Sequence, residues 1–396
     1  MTQSLTLDKK RIASIDLLRG LVMIIMALDH TRDFTHTTAW TEDPLSMQTT
    51  TPVLYFTRWI THFCAPVFVF LSGMSAFLQS KRKTKKELSV FLVTRGFWLI
   101  LVEIFIVNLI FTFDISFSVI GLQVIWAIGI SMLLLGLAIW LPFPVIFAIG
   151  ILIVLGHNAL DFYEKDHKGP FNHWYELLHR PGFNVPFVGN TRLLILYPFL
   201  SWLGLMFCGY CFGKLVSDRQ GAARKKLLLI TGFSLILLFI VLRYSNEYGD
   251  PALWSEQKNG LFTFLSYMNV TKYPPSLLYM CATIGPALIF MAFFNEAKSG
   301  IAKMISVYGR VAFFYYILHF FILHLVCVIL FFINGHSLSE SNSANLGVLF
   351  VVPGEGVPLW GVYLVWIAVV IILYPLCRWY DNYKTRHKEK KWLSYL

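Results

Sequence analysis

The sequence predicts an all-α protein, a polytopic transmembrane helical bundle of about ten spans with both termini in the cytoplasm. Three observations carry this. Ten long apolar segments follow one another along the 396 residues, the chain is 57% hydrophobic and 14% charged, and its basic residues fall almost entirely on alternate sides of successive segments. Such a composition is far more apolar than that of an average soluble domain. In lipid every backbone polar group must be paired inside the structure, so helices are the expected form of these segments.

The predicted spans cover 12–31, 54–79, 88–113, 119–140, 144–161, 193–213, 227–243, 275–294, 306–333 and 358–377. Most reach the roughly 20 residues that cross a hydrocarbon core of about 30 Å; the fifth and seventh are short. The first carries Asp16 and Arg19 and lacks a small-residue cleavage site, so no cleavable signal peptide is expected. The second opens with Arg58-Trp-Ile-Thr-His62, its two polar residues four apart on one face. The third carries Arg95 and Glu103, eight apart and again on one face. The fifth ends in His157-Asn158-Ala-Leu-Asp161. The eighth opens at Lys272-Tyr273-Pro-Pro275, where proline suits a helix start. The ninth follows Gly309-Arg310 and holds His319 and His324, which lie about 140° apart around a helix and so do not share one ligand.

Of the 33 Lys and Arg, 21 lie in the start Lys9-Lys-Arg11, in the short loops after the second, sixth and eighth spans, and in the tail. Eight lie on the opposite side and four within spans. This bias sets the orientation. The net charge of +11 therefore reads as topology and contact with anionic membrane lipids, with no nucleic-acid partner. The outer loops, 32–53, 162–192, 244–274 and 334–357, are long and rich in Trp, Tyr, Asn, Gly and Pro. No stretch between spans could build a separate core, so 1–396 is read as a single domain with 379–396 as a basic cytoplasmic tail. No short repeat and no inverted five-plus-five repeat is visible.

Ionisable groups within a membrane are expensive, so each is a candidate for function. The densest set, Asp29-His30-Thr-Arg32-Asp33-Phe-Thr-His36, leaves the outer end of the first span. On a continuing helix a carboxylate there can hold an imidazole, which is how a general base is oriented. Asp29, His30, Asp33 and His36 are therefore the catalytic candidates, against the plainer reading of a polar helix end meeting water. Arg58, His62, His157, Asn158, Lys272, Tyr273 and His319 are the candidates for binding a substrate. Nearer the inner side, Asp16 and Arg19 can pair with each other. Arg95 and Arg310 are either members of buried ion pairs or contacts for an anionic cytosolic ligand, because a guanidinium suits phosphate.

Other chemistries are poorly supported. Cys208-Gly-Tyr-Cys211 has redox spacing, but it lies within an apolar span, and all six cysteines lie in or at the edges of such spans. No metal is expected, because the histidines lack ligand spacing. The chain has no phosphate-binding Walker loop, no dinucleotide fingerprint and no Gly-x-Ser-x-Gly elbow.

Arg11-x-x-Ser14-Ile-Asp16-x-x-Arg19-Gly20, followed by an apolar run ending Met26-Ala-Leu-Asp-His30, resembles the opening of the heparan-α-glucosaminide N-acetyltransferase catalytic-domain family. Phe63-Cys-Ala-Pro66-Val-Phe-Val-Phe-Leu-Ser72-Gly73 resembles that family's second span, and Gly309-Arg310 with Tyr315-Tyr-Ile-Leu-His319 a late one. The likeness is strongest over 11–115 and is greatest to the bacterial branch, which implies a bacterial inner membrane. It implies an acetyltransferase that takes cytosolic acetyl-CoA as acyl donor and delivers the acetyl group to an extracytoplasmic amine or hydroxyl, as on a glycan. The family's active histidine follows the first span in a His-small-small-Trp setting. Here that is matched by His36, in Thr35-His36-Thr-Thr-Ala-Trp40, with one residue inserted before the tryptophan; His30 is the alternative.

The rival reading is a proton-coupled transporter or permease of a small solute, since intramembrane Asp, His and Arg serve transport equally well. A non-catalytic scaffold is disfavoured by the number of costly ionisable groups in the spans.

Overall fold

The computed structural model describes residues 12–294 and 299–394, and 69% of it is helical. The basic start Lys9-Lys-Arg11 and Lys298 lie outside the described residues. Helix α1 (Ala13–Thr35) is followed by α2 (Pro52–Trp59) and α3 (Cys64–Ser80), which a 3-10 turn at Ile60–Phe63 joins into one continuous segment. A π turn at Glu103–Val107 joins α4 (Lys85–Val102) to α5 (Asn108–Thr112) in the same way. After strand β1 (Val119–Leu122) come α6 (Val124–Ala138), α7 (Phe143–Gly156), α8 (Ala159–Asp166) and α9 (His173–Leu178). Strands β2 (Gly182–Pro186) and β3 (Arg192–Ile195) lead into α10 (Phe199–Ser217), α11 (Gly221–Ser245) and α12 (Gly260–Met268). Helices α13 (Leu277–Phe293), α14 (Gly300–Arg310), α15 (Ala312–Ile333) and α16 (Leu359–Arg386) follow.

The helix starts are written locally in the sequence. Thr84 and Glu87 form a reciprocal capping box on α4, and the side chains of Thr51, Asn259, Ser276 and Ser299 each accept a hydrogen bond from the first turn of the helix they precede. Pro52 takes the first position of α2, where its missing N–H costs nothing.

Among the described residues, six segments are long and apolar enough to cross a membrane: 52–80, 85–112, 199–217, 221–245, 312–333 and 359–386. The pair α7 and α8, bent by 43°, makes a seventh if it is one span. α6 and α13 are apolar but shorter, and α1 is long but polar at both ends. These criteria reach the expected ten spans only in part, and the chain is a membrane protein on the six.

Four expected span limits are corrected. Residues 119–122 and 193–195, read as the starts of helices, belong to strands, and helix begins at Val124 and Phe199. A short apolar run carries no period that separates strand from helix. The sheet has the order β1-β3-β2, with β1 parallel and β2 antiparallel to β3. The expected helix 275–294 begins at Leu277, and 306–333 is broken at Val311 into α14 and α15.

Neighbouring apolar helices gain little from burial in lipid, so close packing must hold them together. Glycines supply it where α1 crosses α14. A Cβ on Gly20 would lie 1.8 Å from the Ile305 carbonyl oxygen, and one on Gly309 would lie 1.9 Å from that of Asp16. The two backbones touch there. Of the six long apolar segments, 52–80 and 199–217 are the most buried, while α11 and α16 turn most of their residues outward. Successive long helices run to and fro, which leaves one end of the bundle loop-rich (36–51, 246–276 and 334–358) and the other short and basic (81–84, 218–220 and the end of α16).

Candidate active site

A cavity of about 990 Å³ runs between α1, α3, α4, α6 and α15. Its length is set by one side of α1, where Arg19, Met23, Met26, His30 and Asp33 follow one another at three- and four-residue spacing. At 1.5 Å per residue, Arg19 and Asp33 are about 21 Å apart along the helix. Phe68, Ser72 and Gln79 of α3, Leu99 of α4, Met132 of α6 and Tyr316 of α15 line the same space. The middle is mainly apolar and both ends are charged.

At the loop-rich end Asp29 gathers three cations. Its Oδ2 lies 3.1 Å from Arg58 Nη1 and 3.8 Å from Lys272 Nζ, and its Oδ1 lies 3.3 Å from Arg32 Nη2. Arg32 reaches Asp33 Oδ1 at 2.5 Å as well, and Arg58 donates to Thr61 Oγ1 at 2.8 Å. The side chains of Asp29, Arg32, Arg58 and Lys272 are each at most 11% exposed. Breaking such a buried cluster by removing one member is expensive, because it leaves charge uncompensated. The guanidinium groups thus take up Asp29, which holds no histidine ring. Tyr273 lines the same end, edge-on to Tyr197.

The two catalytic histidine candidates separate. His30 lines the large cavity, with Nδ1 3.7 Å from Asp33 Oδ2, close enough for an ion pair but longer than a hydrogen bond. Its ring lies against Phe320 and 5.3 Å from that of His319. His36 caps the end of α1 and lines a separate small pocket of about 30 Å³ with Trp40 and Glu355. Its Nδ1 is 3.1 Å from Thr38 Oγ1. Partial burial lowers the His36 pKa below its usual value, and the charge of Arg32 adds to this. Asp33 borders both spaces, and Trp40 Nε1 donates to the Asp33 carbonyl oxygen at 2.8 Å.

The remaining substrate-binding candidates lie behind the cavity wall. His319 is fully buried; its Nδ1 lies 3.1 Å from the Tyr315 carbonyl oxygen, which fixes the proton on that nitrogen, and its Nε2 has no hydrogen-bond partner among the described residues. His62 is 1% exposed, both ring nitrogens are without a hydrogen-bond partner among the described residues, and its carbonyl oxygen accepts from Tyr279. His157 and Asn158 belong to a different neighbourhood. His157 Nδ1 is 3.2 Å from His179 Nε2, and Asn158 binds Asp161 and receives the Leu277 backbone N–H. These contacts join the end of α7 to the loops and to α13.

In that neighbourhood Asp161, Glu164 and His179 bring possible metal-ligand atoms within 4.8 Å of one another. Each is already engaged: His179 Nδ1 lies 2.7 Å from Glu164 Oε1, Tyr175 donates to the same oxygen, and Asn158 donates to Asp161. Hydrogen bonds within the protein thus engage each member of the cluster.

At the basic end Arg310 is held by Asp381 of α16, its Nε and Nη2 reaching the carboxylate at 2.6 to 2.9 Å. Lys83, Arg95, Lys384, Lys388 and Lys390 line this mouth with them, and Leu393, 2% exposed, lies against it. Arg19 donates to the Leu71 carbonyl oxygen and to Ser75 Oγ. Sequence reading named Arg95 and Arg310 but not Asp381 or Lys83. Only the general signal of basic residues beside a span pointed to the lysine, and nothing in the sequence pairs Arg310 with a carboxylate 71 residues away.

The family model described as "Heparan-alpha-glucosaminide N-acetyltransferase, catalytic" matches residues 11–244, more than half of the chain. No curated protein matches. The matched region contains Arg19, the Asp29–Asp33 cluster, Arg58 and Arg95, and it ends before Lys272, Arg310 and His319.

Proposed function

We propose, on the premise that the chain belongs to the heparan-alpha-glucosaminide N-acetyltransferase catalytic family, that it moves an acetyl group from cytosolic acetyl-CoA through the membrane to an amine of a glucosamine-type acceptor on the far side. The observation that carries this reading is the continuity of the cavity. One space joins the basic mouth at Lys83, Arg95 and Lys390 to the His30–Asp33 end. Its volume is at the top of the range of about 300–1,000 Å³ usual for small-molecule sites.

In this reading the basic mouth faces the cytoplasm, as do both termini, and the bundle crosses a bacterial inner membrane with about ten spans. The donor's phosphates sit among the lysines and Arg95, and its thioester arm lies along the apolar middle. Arg310, held by Asp381, shapes the mouth; to bind phosphate it would first have to leave that carboxylate. At the other end His30, steadied by Asp33, takes a proton from the acceptor amine. The amine nitrogen attacks the acetyl carbonyl carbon, the C–S bond breaks, and the proton passes to the departing CoA thiolate. Direct transfer with base catalysis accounts for the geometry without an acetyl-histidine. His36, facing its own small pocket, positions the loop beside Asp33 and Trp40. The transporter reading has no support from the family match.

The test is acetyl transfer from radiolabelled acetyl-CoA to glucosamine by the purified protein in detergent. His30→Ala should abolish transfer while the folded protein still binds acetyl-CoA. Normal transfer by His30→Ala would remove His30 from the mechanism.

A further inference from the structure

Three cations face two carboxylates at the loop-rich end of the cavity. Arg32, Arg58 and Lys272 come from α1, α2 and the loop before α13, and they meet at Asp29 and Asp33. The five groups are enclosed, Asp33 being the most exposed at 31%. A positive charge in excess at such a place is costly unless an anion completes it.

Lys272 is the most available of the three. Its side chain is only 9% exposed, and its ammonium, 3.8 Å from Asp29 Oδ2, makes no hydrogen bond among the described residues. An ammonium carries three N–H donors, and this one lines the cavity with its nitrogen 5.1 Å from the centre of the Tyr273 ring. The loop that presents it is built, not loose. Asp250 accepts from the Thr271 N–H at 2.8 Å, from Thr271 Oγ1 at 2.9 Å and from Ser276 Oγ at 2.6 Å, and so clamps the chain on both sides of Lys272. Arg32 Nε is likewise buried without a hydrogen-bond partner among the described residues.

We infer that this end of the cavity binds an anionic group of the acceptor, a phosphate or carboxylate carried on the same amino sugar as the reacting amine, through Lys272 with Arg58 and Arg32. The inference rests on the acetyltransferase reading, and it narrows the acceptor to an acidic amino sugar. The anion sits on the three cations while the amine reaches His30, which lines the same end. Each partner then supplies what the other lacks, because the site has a surplus of positive charge and the acceptor a negative one.

The test compares glucosamine, glucosamine 6-phosphate and muramic acid, an amino sugar carrying a carboxylate, as acceptors. The KM for one or both acidic sugars should be lower than that for glucosamine by roughly tenfold or more, the size expected of a charge-assisted hydrogen bond. Whether phosphate or carboxylate gains more identifies the anion. Lys272→Gln should bring the three KM values together, and Lys272→Arg should restore the preference, which separates lost charge from lost folding. Inorganic phosphate should compete with the sugar. Equal KM values in the wild-type protein, or phosphate competing with acetyl-CoA instead, would overturn the proposal. If no sugar is acetylated, calorimetry with glucosamine 6-phosphate alone decides. Saturable binding lost in Lys272→Gln keeps the anion site and removes the acetyltransferase reading, while absence of binding removes the anion site.

Discussion

Asp29 and Arg58, 29 residues apart in the chain, meet at 3.1 Å inside the bundle and fasten the later part of α1 to the last turn of α2. Because Arg32 and Lys272 share the same carboxylate, Asp29→Asn would leave three cations with Asp33 alone. Loss of one partner from a buried ion cluster costs about 3 kcal/mol or more. Asp29→Asn should therefore lower the thermal unfolding temperature in detergent sharply, and Lys272→Gln should lower it less. Equal and small shifts would show that the cluster is solvated.

The crossing of α1 and α14 gives a second prediction. Gly20→Ala and Gly309→Ala each place a Cβ within 2 Å of a backbone oxygen that no side-chain rotation can move. Each should destabilise by about 2 kcal/mol or more, the scale of overpacking. Gly300→Ala, where nothing lies within 4 Å, is the matched control and should be neutral in the same unfolding assay.

The two histidines are separable by kinetics. His30→Ala should lower kcat at least about a hundredfold, as loss of a general base does. His36→Ala should act mainly through loop position, with a smaller loss that falls on KM. The reverse pattern would move the base to His36 and its small pocket.

His36 also predicts a pH dependence of stability. Its folded pKa lies below the ordinary 6.5 because burial and Arg32 both disfavour the imidazolium. The unfolded chain therefore binds more protons than the folded one between that lowered value and 6.5, so stability rises with pH across this window. As pH falls through it, stability is lost until the folded group protonates too. His36→Gln should flatten the slope, measured as unfolding temperature against pH from 5 to 8.

Much of the site was legible because one helix carries it. The spacing Arg19, Met23, Met26, His30, Asp33 is a helical side, and the helix that displays it is the one that lines the cavity. The family likeness drew on Arg19, Met26 and His30 of this side, and the matched region 11–244 covers the stretch where the likeness is strongest but not the late span at Gly309–His319. Contacts between distant segments were not legible. Nothing in the sequence places Lys272 beside Asp29 or Asp381 beside Arg310, since these meetings depend on how α13 and α16 pack. His157 and Asn158 looked like site residues because they end an apolar span, but their partners are His179, Asp161 and the start of α13. The strands at 119–122 and 192–195 were hidden by hydropathy, which reads an apolar strand and an apolar helix alike.

The central claim, that one cavity carries an acetyl group from the basic mouth to His30, is tested most directly in sealed proteoliposomes sorted for one orientation. Acetyl-CoA is enclosed on the side of the basic mouth, and glucosamine or glucosamine 6-phosphate is supplied only on the other. The account predicts acetylated sugar on the acceptor's side, abolished by His30→Ala, with CoA retained in the donor compartment. Product formed only when donor and acceptor share a compartment would contradict it.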